Sequence, residues 1–196
     1  MFAASNQLLW SMIGLLLTMG GTFLEAHSIT FPWSWSLHGI QTVSLGVTYQ
    51  VGAVLLVGCL GGKNAGALSQ IAYLVMGLTL LPVFSDGGGN IGYVKVSQFG
   101  YLLGFVPGAW ICGLLAFKAR PRLETLSFSC ICGLLSIHLC GITYLILRYL
   151  LHWQATESLT LMQEIFRYSW LAIPGQLAVV CAVSVVAYVL RHLMFY

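Results

Sequence analysis

Four uncharged hydrogen-bonding side chains, Gln50, Ser69, Tyr73 and Gln176, stand inside long apolar runs. Such groups suit recognition of a small polar solute in a mostly apolar pocket. They suit ties between neighbouring helices equally well. Gln176 follows Pro174-Gly175, and proline removes a backbone donor, so carbonyls near Leu171 and Ala172 are expected to be freed there. Ionisable groups inside the runs are few: His138 is mid-run and Glu25 ends the first run. Intramembrane ionisable residues are functional candidates by default, although a single His also serves as a helix–helix hydrogen-bond partner. There is no HExxH, no nucleophile with a placed base and no phosphate-binding glycine loop, so no catalytic constellation is visible. The six cysteines (Cys59, Cys112, Cys130, Cys132, Cys140, Cys181) lie in apolar runs without zinc spacing and read as small packing residues, neither disulfides nor metal ligands.

A second candidate group surrounds "LPVFSDGGGN" (81–90). Gly87, Gly88 and Gly89 permit positive φ angles and close backbone approach, as a lid over a solute needs. Asp86 and Asn90 offer hydrogen bonds beside them, and Lys95 follows. In "FPWSWSLHGIQT" (31–42), Trp33 and Trp35 form either an interfacial belt or an aromatic wall over a ligand.

The elements that must position these residues are set by composition. The chain has 196 residues, 59% hydrophobic and 7% charged, with mean hydropathy +0.90. An ordinary soluble domain is about one quarter charged, so the solvent here is lipid. The expected fold is an all-α membrane protein, one domain over 1–196, since no polar block is long enough for a second. A span needs about 20 apolar residues. Six are expected, at 7–25, 43–61, 65–83, 98–117, 125–148 and 168–190. The first has no charged region or cleavage site before it and reads as a retained helix. Gly61, Gly62, Lys63 and Asn64 separate spans two and three; "KARPR" (118–122) separates four and five. Pro107 and Pro174 are expected to kink spans four and six.

With both termini cytoplasmic, Lys63, Lys118, Arg120, Arg122 and Arg191 lie inside and Lys95, Arg148 and Arg167 outside, a five-to-three positive-inside bias. Glu25, Asp86, Glu157 and Glu164 then fall outside, and Glu124 inside. The long connections 26–42, 84–97 and 149–167 are all external, where a site is usually built. Leu159, Met162, Ile165 and Phe166 opposite Glu157, Glu164 and Arg167 suggest an amphipathic helix on that interface. Gly100, Gly104 and Gly108, continued by Ala109 and Gly113, form one small-residue stripe; Ser11, Gly14, Thr18 and Gly21 form another. Each serves either packing within the bundle or docking of a membrane partner.

"GGKNAGALSQIAYLVMGLTLLPVFSDGGG" (61–89) with "GYLLGF" (100–105) resembles the BioY family, the substrate-binding S components of energy-coupling factor (ECF) transporters for biotin. Gly62, Gly66, Ala67, Leu68, Ser69, Tyr73, Leu74, Gly77, Leu81, Pro82, Val83 and Phe84 carry the match, and "IQT" (40–42) is similar to the family's "LQT". The resemblance implies a plasma-membrane receptor, not an enzyme, that captures biotin or a related vitamin-like solute under loops one and three. It implies a transmembrane coupling subunit, two ATPase subunits and the lipid bilayer as partners, with no cofactor and no nucleic acid. The candidate binding residues, taken from the side chains themselves, are Gln176, Tyr73, Ser69, Asp86, Asn90, Lys95 and Trp35. Three features depart from the family pattern. "PGQ" (174–176) stands where the family has P-G-D-x-x-K, so Gln176 and Val179 replace an acid and a lysine. "VSQFGYL" (96–102) replaces "GPTGGYL", and helix one lacks the family's Ala-x-x-x-Ala, for which Ser11, Gly14 and Thr18 are a physical analogue. Lys95 is the nearest substitute for the missing positive charge. The alternative is a membrane assembly subunit that kept the fold and lost solute binding.

Overall fold

The structure, a computed structural model, describes residues 2–29, 42–151 and 160–194. Trp33, Trp35, Glu157 and Leu159 therefore lie outside the described residues. The elements are α1 (Phe2–Phe23), β1 (Glu25–Ile29), β2 (Thr42–Thr48), α2 (Gln50–Thr79), α3 (Phe99–Ala116), α4 (Leu123–Leu150), α5 (Leu161–Ile165) and α6 (Ile173–Leu193), with a π-helical turn Phe166–Trp170 joining the last two. Four runs, Gln50–Thr79, Phe99–Ala116, Leu123–Leu150 and Leu161–Leu193, are long and apolar enough to cross a bilayer. Large apolar side chains such as Leu16, Leu135 and Val185 stay exposed on the outside of the bundle, as lipid contact requires. The chain is a multi-pass membrane protein.

α2 is two arms. Gly62 has φ +81° and ψ 178°, a conformation outside the helix that favours glycine. Gln50 and Tyr73 are hydrogen-bonded at 2.8 Å, whereas along a straight helix 23 residues rise about 34 Å. The arms 50–61 and 63–79 therefore run back along each other, and the break expected at 61–64 is a tight reversal at Gly62. Gly113 of α3 backs onto it, where a methyl group would sit 2.5 Å from Lys63 N.

Several expectations are corrected. The fold is not wholly α: residues 42–48, of which 43–48 read as the start of span two, form β2 and pair antiparallel with β1 in the register His27↔Ser44 and Ile29↔Thr42. The β-branched Thr42, Val43, Val47 and Thr48 favour that extended conformation, and the pairing satisfies backbone groups that loop residues would otherwise leave open. Span three ends at Thr79 rather than 83. Pro174 does not kink span six, because it lies in the first turn of α6, where a missing N–H costs nothing. The break precedes it, in the π turn, closed by Leu171 N donating to Phe166 O at 3.0 Å. The Ala172 carbonyl is not freed either; it accepts from Gln176 N at 3.0 Å.

In the segment 160–168 the apolar side faces outward as expected, but Glu164 does not face water. Met162 and Phe166 are exposed while Glu164 is buried, because Glu164 has a charged partner within the protein. Arg148 Nη2 donates to Glu164 Oε1 at 2.9 Å, and Ser97 Oγ donates to the same oxygen at 2.7 Å. The apolar side is then the one left to face lipid.

Both small-residue stripes pack inside the chain. A methyl on Gly104 would lie 2.8 Å from Ile137 O in α4, and one on Gly14 would lie 2.7 Å from Val57 Cγ1 in α2. α6 closes the bundle, with Arg191 Nη1 donating to Ala116 O at 2.7 Å. Where α2, α3 and α4 meet, the buried Cys59 Sγ lies 3.5 Å from both Cys112 Sγ and Cys130 Sγ.

Candidate functional site

The loop between α2 and α3 is a folded plug. Phe84 is fully buried, edge-on to Tyr73 with ring centroids 5.4 Å apart and 4.8 Å from the Tyr93 ring. Gly77 makes room for it, since a methyl there would sit 2.2 Å from Phe84 Cζ. Of the three loop glycines only Gly87 takes a positive φ, +68°. Gly88 and Gly89 are small because Tyr93 and Pro82 crowd them. Asn90 also has a positive φ, and its side chain accepts from Gly92 N at 2.7 Å, shaping the turn Ile91–Lys95. Arg148 Nη1 anchors the far side of the loop by donating to Lys95 O at 2.9 Å and to Ser97 Oγ at 2.8 Å. Tyr144 adds a hydrogen bond to the carbonyl of Val94.

Beside this plug, at the same end of the bundle, is a cavity of about 440 Å³. Small-molecule sites usually have volumes of about 300–1,000 Å³. β2 supplies one wall through Gly46, Val47 and Thr48; Gln50 and Val51 lie at the start of α2. α3 adds Tyr101, Leu102 and Phe105, preceded by Gln98, and the π turn and α6 add Arg167, Tyr168 and Gln176. The floor is apolar and the polar groups converge from separate elements. A second cavity of about 530 Å³ lies at the opposite end, around 61–64 and the end of α3, with Gln7, Lys63, Asn64 and Lys118 in its lining.

Behind the cavity wall a polar chain links four elements, α3, the π turn, α4 and α6. The Tyr101 hydroxyl is 2.7 Å from Ser169 Oγ, Ser169 Oγ is 3.1 Å from His138 Nδ1, and His138 Nε2 is 2.7 Å from Gln176 Oε1. Gly141 admits the Tyr101 ring, which would lie 2.4 Å from a methyl at that position. The His138 ring stands edge-on to Tyr101 at 5.8 Å. His138 is thus a helix–helix partner whose other end holds a cavity residue.

Of the residues singled out from sequence, Gln50 and Gln176 line the cavity. Tyr73 and Ser69 do not; both are fully buried in the seam between α1 and α2. The Tyr73 hydroxyl donates to Val83 O at 2.9 Å and accepts from Gln50 Nε2 at 2.8 Å. Ser69 Oγ donates to Gly66 O at 2.7 Å and accepts from Gln70 Nε2 at 3.0 Å. Asn90 and Lys95 have exposed side chains outside the cavity lining, and Asp86 lies in the short turn Ser85–Gly87. Val179, at the position of the family's lysine, is buried against Gly52, where a methyl would meet Val179 Cγ1 at 2.7 Å. Sequence reasoning missed Gln98, Tyr101, Tyr168 and Ser169 as a group. The available signal was the altered stretch 96–102, which contains two of them.

The same architecture occurs in a crystal structure of the S-component for biotin from an ECF-type ABC transporter. It matches with a TM-score of 0.70 over 96% of this chain and 92% of that one, at 19% identity, a likeness of fold. An uncharacterized 21.2 kDa protein from the psbX-ycf33 intergenic region of Cyanophora paradoxa is 25% identical over 187 residues, 95% of each chain. The probable biotin transporter BioY of Lysinibacillus sphaericus is 39% identical over 99 residues, half of each chain. The biotin transporter BioY of Thermotoga maritima is 39% identical over 71 residues, 36% of this chain and 42% of that one. The model of the BioY family matches residues 5–195, and with nearly the whole chain covered this protein belongs to the BioY family.

Proposed function

We propose that this protein is the substrate-capturing subunit of an ECF-type transporter and takes up biotin or a related small vitamin-like solute. The observation that carries the reading is the cavity of about 440 Å³ beneath one end of the bundle, lined by convergent polar groups in a chain of the BioY family. The protein is a receptor and not an enzyme, and it needs no cofactor. Energy comes from partners, a transmembrane coupling subunit and two ATPase subunits. In the plasma membrane the two arms of α2 count as separate crossings, so the single domain crosses six times with both termini cytoplasmic and the cavity outside. Gln176 is the ligand-binding residue of the original set that the cavity geometry favours. Asp86, Asn90, Lys95 and Trp35 are the further candidate ligand contacts, with Gly87, Gly88 and Gly89 shaping the lid. Tyr73 and Ser69 hold the scaffold in place.

The test is ligand capture by purified, folded protein. Biotin at micromolar concentration is expected to raise the unfolding temperature, since a ligand at 100 times its Kd stabilises by about 2.7 kcal/mol. No binding and no shift would remove the ligand assignment and leave the fold. Co-purification with a coupling subunit under those conditions would instead indicate the assembly subunit that lost solute binding.

A further inference from the structure

Resting on that reading, the geometry also identifies which ligand atom the cavity contacts. Gln98 and Gln176 line the cavity from different elements. A primary amide has one carbonyl acceptor and two N–H donors. The protein occupies the acceptor of Gln98, because the Tyr93 hydroxyl donates to Gln98 Oε1 at 3.0 Å. At Gln176 the partner is His138 Nε2, 2.7 Å from Oε1, and the polarity of that bond follows from the chain behind it. Tyr101 carries the most acidic hydroxyl of the series, 2.7 Å from Ser169 Oγ. If Tyr101 donates to Ser169, Ser169 donates to His138 Nδ1 at 3.1 Å. A neutral imidazole then has its proton on Nε2, directed at Gln176 Oε1. Run in the opposite direction, the chain leaves the Tyr101 proton without an acceptor in the series and takes an N–H from Gln176. The first direction matches Oε1 as the Gln176 atom that faces His138, and it leaves both Gln176 N–H groups for a ligand.

We infer that the series Tyr101–Ser169–His138 locks the Gln176 side chain so that its N–H groups, with those of Gln98, form a donor wall selecting a ligand that presents a carbonyl oxygen. Arg167, a donor only, lines the same cavity nearer solvent and extends this polarity. His138 acts as a positioning residue, through Gln176.

Paired probes test this: biotin, whose ring carbonyl accepts, and 2-iminobiotin, in which that oxygen is replaced by an N–H-bearing nitrogen. The folded wild-type protein is expected to prefer biotin by about 10-fold or more, since the iminated ligand leaves buried donors unpaired. Gln176→Glu replaces the donors with an acceptor and is expected to cut the ratio by about 10-fold. His138→Phe keeps ring volume and frees the amide to turn, and should lower the ratio by several-fold. A histidine with only a structural role would weaken both ligands equally and leave the ratio unchanged. If His138→Phe does not fold, Gln176→Glu carries the test alone. Equal wild-type affinities, or an unchanged ratio in the folded variants, overturn the donor wall and leave biotin capture standing. A folded wild type that binds neither probe overturns both.

Discussion

Two polar chains run through this bundle, and they use the same kinds of residue. One joins α1 to α2: Gln70 Nε2 donates to Thr18 Oγ1 and Ser69 Oγ, both at 3.0 Å, and above it Tyr73 bonds to Gln50 and Val83. The other runs from Tyr101 through Ser169 and His138 to Gln176. The first is sealed from the surface, with Tyr73 and Ser69 fully inaccessible, and it leaves Gln70 Oε1 buried with no hydrogen-bond partner among the described residues. The second ends on a cavity wall. Gln50 joins the two regions: its Nε2 donates to Tyr73 in the seam, and the residue also lines the cavity. In lipid an unpartnered polar group is costly, so a polar residue in a span is either spent on a helix neighbour or held for a solute. Side-chain chemistry alone does not separate these roles. What remains unspent, and whether it faces a space, does.

This contrast can be broken at four points. The largest effect is expected from Arg148→Met. It leaves Glu164 buried without its cation, a loss of about 3–5 kcal/mol, and releases the loop that borders the cavity. Both unfolding temperature and ligand capture should fall; unchanged stability would mean the Arg148–Glu164 clamp does not hold this side together. Next is Tyr73→Phe, which strands Gln50 Nε2 and the Val83 carbonyl at a cost of about 1–3 kcal/mol. Thermal unfolding should drop while the ligand-induced shift persists. Binding lost at unaltered stability would move Tyr73 from the seam into the site. Gln176→Ala should act the other way, weakening the ligand about 10-fold, or about 1.4 kcal/mol, with a smaller stability change than Tyr73→Phe. Titration calorimetry giving wild-type affinity would take α6 out of the site. The smallest effect is expected at exposed Arg167: Arg167→Gln should cost under about 1 kcal/mol and reduce the salt dependence of binding. A larger, salt-independent loss would mean this guanidinium is desolvated by the ligand.

Much of the fold was legible because lipid imposes simple requirements. Apolar runs mark the helices, and the reversal near Gly62 follows from glycine and Lys63-Asn64 interrupting one such run. The strand over 42–48 was not legible, since Thr, Val, Ser and Leu in an apolar stretch satisfy a helix as well as an extended chain. Only pairing with Glu25–Ile29 decides between them. Glu164 misled for a related reason. A lone acid in an amphipathic pattern belongs on the wet side unless a distant cation meets it, and Arg148 is 16 residues away in sequence.

By itself the sequence determined the solvent, the helical character, the position of the reversal and the family motif, because these depend on composition and short-range spacing. Tertiary structure decided which polar residues are glue and which face a ligand. Tyr73 carries the family motif yet is sealed between helices. Gln176, altered from the family pattern, stands at the cavity with its carbonyl held by His138 from another helix. That division rests on contacts between residues 10 to 68 positions apart, which no local pattern encodes.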